Sequence, residues 1–570
     1  MKKISFFALA LVASLMMGCS DEVGNDVNPG GTGSATVGEG FMSVAINLPS
    51  TTGGSRASVS GFEDGLEGEY AVKNGKLYIF GGASLDAATL QASYDLDVSG
   101  FNTTGTPTDQ ITSTAVLTVS TKTMSGANFY PVVVLNTNGQ TLNIPAKSTI
   151  KQLEGQTLKV SENTLRGKGF MMTNSPLSQV PGGVTQPASV TIMKYPSFTA
   201  DAIKSTAADA AANPAATIYV ERIHAKVTLL PDPEGLDSPD EDEFGDMSIL
   251  GWALDNTNTE TFLIRNVAND SPWWAYKNNK VATTEYRFIE NAPVATGLYR
   301  TYWGIDPNYD KAGSFNKMTS FSDKYGKDNP QYCLENTFNT DNQNVNQTTA
   351  VIVKAQFNNG EDFYIVNGNK SDAIDEAGAK AQFATKWQEY LEEKKDGLFT
   401  GTFPGSCVDV TLSTTAGKVS ATKITLKDPT GQEGFGGFEG DNTLETLQAM
   451  ADAQLATINS KVNVELYEDG ISYYRLLIKH FGDIDTPWEE SDKVNGDSYA
   501  DPSGTTGENQ WLGRYGMVRN NWYDLNVTGA RELGSATVPD VSNTPDDDVN
   551  NLAVTINILS WAKRTQNVEL

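Results

Sequence analysis

The chain of 570 residues holds two histidines, His224 and His480, and three cysteines, Cys19, Cys333 and Cys407. That inventory is thin for catalysis or metal binding. Each histidine sits in a run that reads as a β-strand. The sequence has no HExxH, no paired CxxC and no GxSxG elbow, so neither a zinc site nor a nucleophile–histidine–carboxylate triad is indicated. The glycines of GQEGFGGFEG at 431–440 lack the Walker lysine and the Rossmann spacing, and the segment reads as a mobile loop. The acids around Asp240 and Asp242 do not follow the ligand order of an EF-hand and read as a solvated linker between 231 and 246. Carboxylates are too numerous for one pair to stand out as an acid–base couple. The reading is of a protein that is not an enzyme and uses no metal and no cofactor.

Charge narrows the partners. Seventy acidic residues against 42 basic ones give a formal net charge of −28, which opposes nucleic acid and any anionic surface. An apolar fraction of 39% over this length is enough for two or three cored domains. Cys333 and Cys407 can pair in an oxidising compartment, but two cysteines make no disulfide framework.

The informative chemistry lies at the two ends. Lys2 and Lys3, the apolar run Ile4 to Leu15, and Gly18 before Cys19 have the order of a secretory signal followed by a lipid-attachment cysteine. The run is too short to span a bilayer. The alternative is an ordinary signal peptide with an incidental cysteine. Residues 20–40 carry little to bury and read as a tether. Next comes FMSVAINLP, in which Met42, Val44, Ile46 and Leu48 alternate as the buried face of a strand. Leu552, Val554, Ile556 and Ile558 repeat that alternation near the C-terminus, so either strand suits the same groove. Leu559 and Trp561 shift the pattern by one residue, which implies a bulge. Between the first strand and the body, Gly53-Gly54-Ser55-Arg56-Ala57 presents Arg56, the only basic residue between Lys3 and Lys73. An Arg-directed protease would cut there, free the first strand and let a neighbour's C-terminal strand replace it. The alternative is that both segments are ordinary strands and Arg56 an ordinary loop residue.

The elements between are mainly strands. KLYIFGG, STAVLTVST, YPVVVLNT, ASVTIMKY and TIYVERIHAKVTLL precede a boundary placed near Lys226. Further strands are expected around 248–265, 283–290, 298–304, 349–356, 362–366, 408–426 and 471–480. Two helical stripes interrupt them: Ile374, Ala381, Trp387 and Leu391 within 371–395, and Leu444, Leu447, Ala451, Leu455 and Ile458 within 441–460.

Several phrases, in order along the chain, resemble the fimbrillins of type V fimbriae, the Mfa-type shaft subunits in particular. They are FMSVAINLPSTTGGSRA, GFMMTNSP, IYVERIHAKV, YRTYWGIDPNY, YCLENTF, GRYGMVRNNWYDLNV and VTINILSWAKRTQNVEL. The resemblance implies a mainly β body of two transthyretin-like β-sandwich domains with Greek-key topology and a few short helices. It implies a signal peptide at 1–18, a lipidated propeptide at 19–56 and sandwiches at 57–226 and 227–550. It also implies a donor strand at 551–570 that includes Trp561. On these residues it places lipidation (palmitate) at Cys19, cleavage between Arg56 and Ala57, and removal of the strand bearing Met42, Val44, Ile46 and Leu48. The expected partners are other copies of the chain, accessory fimbrial subunits, an Arg-specific protease and, through the lipid, the outer membrane. The expected role is a structural subunit of a cell-surface fimbrium, serving adhesion or biofilm formation. The alternative is a tip adhesin, or another surface glycan- or protein-binding lipoprotein with Trp273, Trp274 and Trp303 at its site.

Overall fold

The computed structural model describes residues 36–48, 69, 71–102, 114–137, 142, 144–160, 169–175, 177–178, 195–265, 299–300, 306–308, 315–337, 345–478, 480, 493–494, 498–499, 515–541 and 552–560. The expected strand at 283–290 and Trp273, Trp274 and Trp303 lie outside them.

The first body is a seven-stranded sheet. Its strands are β1 (Gly40–Asn47), β2 (Gly75–Gly82), β3 (Thr89–Asp95), β4 (Thr114–Thr121), β5 (Asn128–Leu135), β6 (Met172–Asn174) and β7 (Ala216–Arg222). Their order across the sheet is β3-β2-β5-β6-β7-β1-β4. Both faces are apolar. Leu77, Ile79, Val133 and Leu135 join Met42, Val44 and Ile46 in one core, while their neighbours Tyr78, Phe80, Val132 and Val134 face a second core with Ile150, Leu263, Ile264 and Leu334. This period-two division is what a strand covered on both sides requires.

The run TIYVERIHAKVTLL forms two strands, not one. It breaks at Ile223, and β8 (His224–Pro231) enters a different sheet. That sheet has the order β10-β8-β18-β19, with β10 at Gln331–Leu334, β18 at Asn521–Ala530 and β19 at Leu552–Ser560. It shares a core with β9 (Ser248–Asp255), β11 (Ala350–Gln356) and β17 (Ile471–Leu477), which form a three-stranded sheet in the order β9-β11-β17. Val227, Leu229, Leu525 and Val527 from one sheet meet Trp252, Val351, Val353 and Leu476 from the other, the packing of a β-sandwich. The chain is mainly β, as expected.

A third core stands on a two-stranded ribbon. β11 continues into β12 (Phe363–Val366) and β17 is preceded by β16 (Val464–Tyr467), and the two strands stay paired across the bend, Gln356 to Ile471 on one side and Phe363 to Tyr467 on the other. The bend places Asn358, Asn359, Gly360, Asp469 and Gly470 at positive φ. Beyond it, β13 (Ala373–Ile374), β14 (Val408–Thr415) and β15 (Lys418–Leu426) complete a five-stranded sheet under α1 (Glu376–Lys394) and α2 (Leu444–Lys461).

The stripe of α1 differs in part from the expected one, while that of α2 is as expected, with Leu444 and Leu455 half-buried against the same core. α1 buries Ala379, Phe383, Trp387 and Leu391, spaced four apart, while Ile374 belongs to β13 and Ala381 is exposed. α2 buries Leu447, Ala451 and Ile458. The single strand expected at 408–426 is a hairpin turned at Ala416 and Gly417, both at positive φ.

Two expected loops are structured. Phe435–Phe438, within the glycine-dense segment, pairs with Phe399–Gly401 and packs beside Phe399. In the acidic stretch, Asp240 caps a short helix by accepting from the amides of Asp242 and Glu243, and Phe244 enters the sandwich core. Cys333 and Cys407 are both buried and are not joined in a disulfide.

At the ribbon bend, Gly470 has φ +68°, and a β-carbon there would overlap the Phe357 carbonyl oxygen. Gly470→Ala is expected to lower stability by about 1–3 kcal/mol, read as a fall in the urea midpoint; an unchanged midpoint would contradict this account of the bend.

Candidate functional site: two strand seats and a charged seam

β1 occupies an internal position. It runs parallel to β7, with Val44 beside Ala216 and Ile46 beside Ile218, and antiparallel to β4, with Met42 beside Val119 and Val44 beside Leu117. Met42, Val44 and Ile46 are wholly buried and Leu48 nearly so. Phe41 exchanges two backbone hydrogen bonds with Lys204, of 2.7 and 2.8 Å, and the Ser43 hydroxyl lies 2.6 Å from that of Thr118. Each of the four apolar side chains contributes roughly 1.5–3 kcal/mol by burial. β1 also satisfies backbone groups on both flanking strands: without it β7 would become an edge, and β4, already the last strand, would lose the strand it pairs with in this sheet.

β19 occupies a different kind of seat, at the end of its sheet. Among the described residues it pairs with β18 alone, antiparallel: Leu552 with Ala530, Val554 with Val527, Ile556 with Leu525 and Ile558 with Tyr523. Leu552 and Val554 are buried in the sandwich core. The expected bulge lies not in β19 but in β18, where Thr528 is the extra residue; pairing runs regularly through Leu559 to Ser560. Asp237 bridges to Gly529 from the other side, and a β-carbon on Gly529 would overlap it. The two alternating strands thus lie in separate seats, one internal and one at an edge. Cys19, Arg56, Ala57 and Trp561 lie outside the described residues.

Between the seats runs a buried seam of charge that the sequence reading missed. Glu221, Arg222, His224 and Lys226, on either side of the break at Ile223, are all buried. Arg265 approaches Glu221 at 3.2 Å and Glu335 at 3.4 Å. Arg519 meets the same Glu335 at 3.0 Å and donates to the Thr261 hydroxyl and the Phe262 carbonyl, each at 2.9 Å. Lys226 is 2.9 Å from the Glu69 carboxylate and 3.9 Å above the Trp522 ring. Tyr332 donates to Glu69 at 2.5 Å, and Arg222 donates from Nε to the Glu69 carbonyl at 2.9 Å. Burial lowers the Arg222 guanidinium to about 10, with Glu69 and Tyr332 acting in the opposite direction, so it stays charged at neutral pH. Among the described residues no three His, Cys, Asp or Glu side chains are grouped to hold a metal ion.

Residues 494–567, which take in both β18 and β19, match the family described as major fimbrial subunit protein type IV, fimbrillin, C-terminal. Over these residues the chain is similar to the C-terminal region of fimbrillins. The fimbrillin resemblance seen in the sequence is met over this region, which is the part of the chain that forms the β19 seat. A search of curated proteins finds no match. Among solved structures, a putative cell adhesion protein from Parabacteroides distasonis aligns over 93% of this chain and 99% of its own at 11% identity and a TM-score of 0.36. One from Bacteroides eggerthii aligns over 92% and 97% at 11% identity and a TM-score of 0.34. The tip fimbrial protein Mfa3 from Porphyromonas gingivalis, with C-terminal truncation, aligns over 91% and 100% at 10% identity and a TM-score of 0.26.

His224 supplies a test of the seam. Neither ring nitrogen has a hydrogen-bond partner, and burial, followed by the charge of Arg519, pushes the imidazole down to about 3. The unfolded chain titrates near the ordinary value of about 6.5. Between these values the unfolded state binds a proton that the folded state refuses, so stability is lost as pH falls from about 6.5 towards 3. His224→Leu is expected to remove that component. Its urea midpoint relative to the natural protein should rise steadily on acidification below pH 6.5 and stay constant above it; a pH-independent difference would rule the neutral buried histidine out.

Proposed function

We propose that this fimbrillin is a shaft subunit of a cell-surface fimbrium, made as a lipoprotein anchored through Cys19 and activated by cleavage between Arg56 and Ala57. Cleavage turns β1 from a tethered strand into a separate peptide. While tethered, β1 has an effective concentration of about mM in its seat, which a strand from another subunit rarely matches. Once cut, it can be displaced by the C-terminal strand of a neighbouring copy, carrying Leu552, Val554, Ile556, Ile558 and Trp561. Donor and acceptor surfaces differ, so the contact repeats into an open fibre. Other copies and accessory subunits are then the partners, an Arg-specific protease the activator, and the outer membrane and fimbrium the location.

The observation that carries this reading is the internal position of β1. Its neighbours β4 and β7 are distant in sequence and belong to the body, so loss of β1 opens an apolar slot between two strands that remain covalently held. The fold of domains at 57–226 and 227–550 is part of the same proposal, with the change of sheet at Ile223 near the boundary.

The test is limited digestion of the precursor with a trypsin-like protease, followed by gels of unboiled samples and electron microscopy. SDS-resistant ladders and fibres are expected from the natural chain and neither from Arg56→Ala nor from a chain ending at Asn551. Monomers persisting after confirmed cutting at Arg56 would favour a tip adhesin. Val44→Asp places a charge in the β1 seat and is expected to lower the thermal midpoint of the uncut precursor while leaving that of the cut, β1-free body unchanged.

A further inference from the structure

Lys73 is the next basic residue after Arg56, only seventeen positions on, and its side chain is exposed. A protease that removes β1 by cutting at basic residues would be expected to continue there. Such a cut would sever the chain one residue ahead of β2, an internal strand of the seven-stranded sheet.

The backbone around Lys73 is held at both ends and in the middle. Upstream, Glu69 is pinned through its carboxylate by Lys226 and Tyr332 and through its carbonyl by Arg222. In the middle, Asn136 sits at φ +55° and turns its side-chain amide onto the segment. Its Oδ1 accepts from the Lys73 amide at 2.7 Å, and its Nδ2 donates to the carbonyls of Ala71 at 2.8 Å and Phe170 at 2.9 Å. Downstream, the Asn136 amide donates to the Asn74 carbonyl at 2.9 Å, and Thr137 donates from its amide to the Asn74 side chain at 3.0 Å. Val72 is buried in the core of the sheet. The fit is close: a β-carbon on Gly169 would stand 2.6 Å from both the Ala71 carbonyl oxygen and the Asn136 amide nitrogen.

We infer that Glu69 and Asn136 staple the segment around Lys73 to the body and thereby keep a protease that cuts at Arg56 from continuing at Lys73. The inference deepens the processing reading above by naming what limits the cut. A protease must draw residues on both sides of the scissile bond into an extended form, so cleavage requires local opening. At Lys73 opening breaks charge-assisted and buried hydrogen bonds together. Selectivity for Arg56 then lies in the substrate's fold as well as in the enzyme's pocket.

The test avoids Arg56 altogether. The Arg56→Ala chain is digested with a lysine-specific endoprotease under native conditions, and the Lys73–Asn74 cut is timed by mass spectrometry against Lys122 in the same digest and against the free peptide 66–80. Lys73 in the folded chain is expected to be cut far more slowly than in the peptide. Asn136→Gly keeps the positive φ available but removes the side-chain bonds; it should speed the Lys73 cut by about tenfold or more, and Glu69→Gln should act in the same direction, with near-ultraviolet circular dichroism confirming that both variants fold. Cutting at Lys73 as fast as in the peptide, or folded variants that cut no faster than the parent, would overturn the inference. Because Arg56 is absent and no assembly is read, failure of the strand-exchange proposal would leave this result standing, and the reverse holds too.

Discussion

Charge buried away from solvent has to be paired, and that constraint governs how the seven-stranded sheet and the sandwich meet. Glu69, Glu221, Arg222, Lys226, Arg265, Glu335 and Arg519 come from five separate stretches of chain, and each is buried. Breaking a buried ion pair by deleting one partner typically costs about 3–5 kcal/mol, because the remaining charge is left without solvent. The partners must therefore arrive together. This fixes β7 and β8 end to end at Ile223, brings β10 against the outer face of the first sheet, and holds β18 in register with β8 through Lys226 and Trp522. The positions of both strand seats follow, since β1 lies along β7 and β19 along β18.

Period-two alternation made β1 readable from sequence: Met42, Val44, Ile46 and Leu48 alternate in the chain and are all buried in the fold. The seam resisted the same method. In IYVERIHAKV the polar residues alternate with apolar ones as they would on a solvated face, yet the face they form is enclosed by β10 and the segment around Arg519. Only the concentration of both charge signs and a histidine within six residues hinted at it. The hairpin at 408–426 was missed although the turn residues Ala416-Gly417 were present, because the flanking threonines and valines read continuously as strand. The stripe of α1 was displaced because Ile374 belongs to a short strand ahead of the Asp375 cap. Phe244 and the FGGF segment were passed over because acidic and glycine-rich surroundings hide single aromatic anchors.

Pairing also decides which parts of the sequence can vary independently. The third core of α1, α2 and five strands has its own apolar set, and joins the sandwich through β11–β12 and β16–β17 with a few added contacts, among them Glu243 to the Ala373 amide and Tyr467 to the Gly534 carbonyl. A unit attached this way can change its surface while the sheets beneath keep their register.

The ribbon attachment has a mechanical consequence. Tension applied between the slot that holds β1 and the C-terminal strand would pass from β1 to β7, through the covalent link at Ile223 into β8, across to β18 and out along β19. Every step is either backbone or a ladder of hydrogen bonds loaded along its strands. The helical unit lies beside this line, joined to it only through the ribbon and a few side contacts, so it is a side arm that can stay folded while the line itself is stretched.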